Sequence, residues 1–72
     1  MRWPWKKRPK APQGVAIEFR NGDIMPCEIF YVGKIGGFHT WEITAQLDVM
    51  EIKRLIVDVM PAKTAIRAQG LL

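Results

Sequence analysis

Among the 72 residues there is one histidine, His39, and one cysteine, Cys27. A thiol and an imidazole are the simplest nucleophile–base couple this inventory permits. They would need to meet at about 3 Å, with a further group orienting the ring. Nothing in the spacing brings positions 27 and 39 together. Cys27 lies in an alternating apolar stretch, where a small buried side chain is its ordinary role. His39 reads as a strand histidine satisfied by a neighbouring threonine or glutamate. The carboxylates Glu18, Asp23, Glu28, Glu42, Asp48, Glu51 and Asp58 are dispersed, whereas a two-acid site needs a pair held about 5–10 Å apart in a cleft. One Cys and one His do not make a four-ligand metal set. Gly33, Gly36 and Gly37 are not followed by the Lys-Ser or Lys-Thr of a phosphate loop, so they read as turn formers. No catalytic, cofactor-binding or metal residue is assigned, and the expectation is a non-enzymatic protein without a cofactor.

The residues that point to binding lie at the N-terminus. Positions 1–10 carry Arg2, Lys6, Lys7, Arg8 and Lys10 with no acid, a charge of +5. The remaining six basic and seven acidic side chains sum to −1, giving +4 overall. Trp3 and Trp5 bracket Pro4, and Pro9 and Pro12 follow. Proline removes an amide donor and pushes its predecessor toward extended geometry, so residues 1–14 read as an extended, flexible basic arm. Its indoles must dock on the body, bind something else or face solvent. Cations with aromatic faces suit the phosphates and unpaired bases of DNA or RNA. The same pairing suits an anionic membrane surface. Arg2, Trp3, Trp5, Lys6, Lys7, Arg8 and Lys10 are therefore the candidate binding arm, with Lys34, Phe38, Lys53 and Arg54 as candidate surface contacts on the body.

The arm would be carried by a single small domain over residues 15–70. Val15, Ile17 and Phe19 alternate onto one face, and Asn21-Gly22 predicts a type I′ hairpin turn. A return strand over 23–32 turns Met25, Cys27, Ile29 and Tyr31 inward, with Pro26 marking a bulge or an edge. Residues 32–37 read as a loop. A third strand over 38–45 places His39, Trp41, Ile43 and Ala45 inward and Phe38, Thr40, Glu42 and Thr44 outward, completing a meander. A single helical turn is expected near 48–52. A fourth strand over 55–60 follows with Leu55, Val57 and Val59 inward. Pro61 ends it, and a fifth strand over 62–68 returns beside it, antiparallel, with Thr64 and Ile66 inward. The fold class is thus all-β: a small five-stranded antiparallel barrel, SH3-like or partly open, with a short helical turn before the fourth strand.

With one cysteine, no intrachain disulfide can staple so small a core, which favours a reducing, cytoplasmic setting. The charged opening lacks the apolar stretch of a signal peptide, and no run approaches the roughly 18 apolar residues of a membrane span. Small size makes a homodimer a candidate, with Phe30, Ile35, Phe38 and Ile56 outside the inward sets. Together these features suggest a protein-interaction or regulatory adaptor module with a protein partner. A nucleic-acid-binding barrel and a peripheral association with anionic membrane are the alternatives.

Overall fold

The computed structural model describes residues 9–68. Six strands and one 3₁₀ turn follow in chain order: β1 (Ala16–Phe19), β2 (Ile24–Pro26), β3 (Ile29–Ile35), β4 (Phe38–Ile43), η1 (Val49–Glu51), β5 (Ile52–Ile56) and β6 (Thr64–Ala68). They form two three-stranded sheets, β2-β1-β5 and β3-β4-β6. Every pairing is antiparallel except β4 with β6, which is parallel. The protein is a small, mostly antiparallel all-β domain with two sheets, and hydrogen bonding does not close them into a barrel.

The apolar alternation of β1 does what its period requires. Val15 and Ile17 are buried and meet Ile43 from the other sheet. Phe19, Cys27, Ile29, Leu47, Ile52, Val57 and Ile66 pack around this nucleus. The core is therefore the seam between sheets, fed by both.

The expected turn chemistry falls elsewhere. Asn21 does not adopt positive φ, and Gly22 does, at 96°. The Gly22 amide donates to the Phe19 carbonyl (2.9 Å), and the Phe19 amide to the Asp23 carbonyl (2.8 Å). Arg20, Asn21 and Gly22 thus form a three-residue loop, a tight turn followed by a left-handed glycine. The Asn21 side-chain oxygen accepts from the Asp23 amide at 2.9 Å, so Asn21 acts through its side chain rather than through a left-handed backbone. A two-residue turn of the primed type occurs instead at Gly36-Gly37, with φ of 59° and 84°, directly between the paired Ile35 and Phe38. Most of the expected 32–37 loop is consequently strand.

The expected three-stranded meander is replaced by two hairpins, β1-β2 and β3-β4, and the expected five strands are six. The 23–32 stretch breaks at Cys27–Glu28, and its halves join different sheets. Pro26 ends β2, an edge strand, where its missing donor does no harm. The two last strands are not neighbours. β5 starts at Ile52 and pairs with β1, whereas β6 pairs with β4. Between them Val59 bridges to Gln13, whose amide donates to the Val59 carbonyl at 2.9 Å. That bridge carries the chain across the end of the core, so Val59 is exposed rather than inward, and Leu55 is exposed as well. Thr40 and Glu42 are buried rather than solvated, at 6% and 7% exposure. β4 is the central strand of its sheet, and Glu42 is flanked by Phe30 and Arg67. The helical turn occurs where expected. Asp48 caps it by accepting from the Met50 amide at 3.0 Å.

Candidate functional site

Parallel pairing of β4 with β6 sets His39 against Thr64, and the His39 amide donates to the Lys63 carbonyl at 2.8 Å. On the other side of β4, His39 lies opposite Lys34 of β3. A cleft of about 490 Å³ opens here, lined by Pro9, Lys10, His39, Val59, Pro61, Ala62 and Thr64. Pro61 lines the cleft, and Lys63, left-handed with φ 54°, stands in the turn just before β6. Pro12 is buried and Gln13 is bonded to Val59, which anchors the chain just beyond Lys10.

Aromatic contacts steady the imidazole. The Tyr31 hydroxyl and His39 Nδ1 are 2.9 Å apart. Tyr31 also tilts against Trp41, with ring centroids 5.2 Å apart at 54°, within the range in which aromatic pairs attract. When Tyr31 donates to Nδ1, the ring proton sits on Nε2, which is then a donor. Tyr31 was expected inward, yet it is exposed. Trp41, expected inward, is half-buried and packs against it.

Electrostatics sort the remaining cations into two groups. Arg54 Nε donates to Glu18 Oε1 at 2.6 Å, and Lys53 Nζ lies 3.9 Å from Glu18 Oε2. Arg67 Nε is 2.8 Å from Glu42 Oε2. Arg20 Nε donates to the Met50 carbonyl at 2.8 Å. That leaves Lys10, Lys34 and Lys63 as the cations with neither an ion pair nor a side-chain hydrogen bond among the described residues: Lys10 lines the cleft with His39, Lys34 lies opposite His39 across a strand, and the Lys63 carbonyl accepts from the His39 amide. No carboxylate lines this cleft. The arrangement can hold an anion by lysine charge and an imidazole N–H, whereas the Thr64 hydroxyl already donates to the Ala62 carbonyl at 3.1 Å.

The sequence-derived site residues do not form one cluster. Lys10 is in the cleft wall, and Lys34 lies beside His39. Phe38 is exposed opposite Ile35, next to the Gly36-Gly37 turn. Lys53 and Arg54 lie on the other sheet and are held by Glu18. Arg2, Trp3, Trp5, Lys6, Lys7 and Arg8 lie outside the described residues. Cys27 and His39 have separate partners: the Cys27 thiol donates to the Met25 carbonyl at 3.5 Å. Burial raises the Cys27 pKa, only partly offset by a backbone hydrogen bond at Ile17, so the thiol stays protonated at neutral pH. Among the described residues no cluster of His, Cys, Asp and Glu could hold a metal ion, and no helix is long and apolar enough to cross a membrane.

Sequence reasoning missed Lys63, Thr64 and Tyr31 as site residues. Only the β4–β6 pairing brings the first two to His39, and no local pattern announces a parallel partner 25 residues away in the chain. No protein-family model matches the chain, and no curated protein or solved structure matches it either.

Proposed function

We propose that this chain is a non-enzymatic, single-stranded nucleic-acid-binding module, with phosphate held at the His39 cleft and along the N-terminal basic segment. One observation carries the reading: the three lysines left without an ion pair among the described residues gather round His39, at the end of the body where the +5 segment joins it. In sequence, Arg8 is separated from the cleft residue Lys10 by Pro9 alone. Lysines release counterions from phosphates, and Tyr31, Trp3 and Trp5 offer faces for unpaired bases. The body is read as an SH3-like barrel left partly open. Its sheets are joined through the Cys27–Glu28 step and share one core, which supports that description. A cytoplasmic setting follows the single unpaired cysteine.

An adaptor role with a protein partner is favoured by a separate observation, the exposed Phe30, Ile35 and Phe38 on the β3–β4 hairpin. Anionic membrane is the third reading of the same cations. The deciding measurement is binding of the full chain to a single-stranded oligonucleotide, the matching duplex and anionic vesicles across a salt series. Tightest binding to the single strand, weakening steeply with salt, is the expected result. Binding to vesicles alone moves the function to membranes, and salt-independent binding overturns the phosphate mechanism.

A further inference from the structure

We propose that Leu71 and Leu72 close the open side of the hydrophobic core, packing into the groove between β5 and β6. These strands are the far ends of one path, β5-β1-β2 and then, through Cys27–Glu28, β3-β4-β6. Among the described residues β5 forms a ladder only with β1, and β6 only with β4. The two sheets therefore join along one side and stay unbonded along the other.

Leu55 marks the gap. It stands opposite Ile17 in the β1–β5 ladder, and residues directly opposite share a face. Ile17 is 3% exposed, whereas Leu55 is 40% exposed. A side chain on the core face of β5 is thus left uncovered. The groove beside it holds about 140 Å³ and is bordered by the core residues Ile17 and Ile43, by Ile52 and Leu55 of β5, and by Ile66 and Ala68 of β6. Arg67 also borders it, with its guanidinium held by Glu42. The volume is close to the roughly 150 Å³ of an apolar cavity opened in a core by removing one leucine side chain. Aliphatic carbon is the chemistry that fits.

The order of the chain selects the occupant. Ala68 ends β6 and lines the groove, and Gln69-Gly70-Leu71-Leu72 follows it. In sequence, Leu71 is separated from that groove residue by Gln69 and Gly70 alone. Docking needs the chain to reverse there, and a type II turn calls for glycine at its third position. Gly70 holds that position in the stretch Ala68–Leu71. A segment tethered so closely competes at an effective concentration on the order of millimolar, above that of a second copy's leucines in ordinary solution. The N-terminal basic segment joins the body beside Thr64, at the opposite end of β6.

The test is methyl nuclear Overhauser spectroscopy on the full chain. Cross-peaks from the Leu71 or Leu72 methyls to those of Ile52, Leu55 or Ile66, unchanged on dilution, are the expected result. Absence of these cross-peaks overturns the proposal. So does their appearance only between differently labelled copies, or a tryptophan ring in their place. Denaturant titration gives a second readout. Leu71→Ser with Leu72→Ser should lower the folding constant about tenfold, the scale of one partly buried leucine. In a Leu55→Ala background the same pair should cost only about threefold, because neighbours in contact couple. No loss, or equal losses in both backgrounds, overturns docking against Leu55. If a substituted chain fails to fold, the wild-type cross-peaks decide.

Discussion

Replacing Lys10 and Lys63 by glutamine removes two of the seven cations assigned to the phosphate path: Arg2, Lys6, Lys7, Arg8, Lys10, Lys34 and Lys63. On single-stranded nucleic acid each neutralised phosphate contributes about 0.7 to the slope of log affinity against log salt. Seven contacts give a slope of about −5, and five give about −3.5. From about 50 to 200 mM salt the wild type should lose roughly a thousandfold in affinity, and the double variant roughly a hundredfold. Fluorescence anisotropy of a labelled oligonucleotide across that range reads both slopes. Lys53→Gln is the matched control, because its ammonium already faces Glu18 at 3.9 Å on the other sheet. If Lys53→Gln flattens the slope as much per charge as Lys10→Gln or Lys63→Gln, net charge governs binding and the cleft has no special part. An unchanged slope in the double variant refutes the site outright.

Three further outcomes follow from the packing. Gly14 has φ of 67°, and a Cβ there would overlap the Asp58 side chain. Gly14→Ala should therefore cost at least about 1–3 kcal/mol, read as a lowered thermal midpoint; an unshifted midpoint would show that this approach is not close. Arg67→Met should cost about 1–3 kcal/mol, because it strips the partner from the buried Glu42 carboxylate, and adding Glu42→Gln should recover part of the loss in denaturant titration. Glu18 has its pKa lowered, first by the hydrogen bond from Arg54, with Lys53 and Arg54 adding charge attraction against an opposing desolvation. A carboxyl depressed on folding stabilises the protein above its unfolded pKa and loses that contribution as pH falls through the folded value. The stability gap between wild type and Glu18→Gln should thus shrink in acid, and a gap that widens there would contradict the assignment.

The strands of β1 and β4, the 3₁₀ turn at Val49–Glu51 and the inward side of Val15, Ile17 and Ile43 were all legible in the chain. Each depends on a period of two or on a cap one or two residues away, which are local quantities. The turn at Asn21-Gly22 was legible as a hairpin but not as a type, because one left-handed glycine satisfies a three-residue loop as readily as half of a two-residue one. Most of the candidate site was not legible. Lys34 and Lys63 look like any other lysines until His39 has strands on both sides.

What the sequence determined alone was a β-rich body, nearly neutral, preceded by a segment of concentrated positive charge. The three-dimensional arrangement decided which strand lies beside which: β5 against β1, β6 parallel to β4, and a chain crossing at Val59 between them. It also decided which cations stay unpaired, since Glu18 reaches Arg54 across 36 residues and Glu42 reaches Arg67 across 25. Alternation states that a strand has an inner and an outer face. It carries no label for the neighbour, because backbone hydrogen bonds are the same for every partner and only the packing of the whole chain chooses among them.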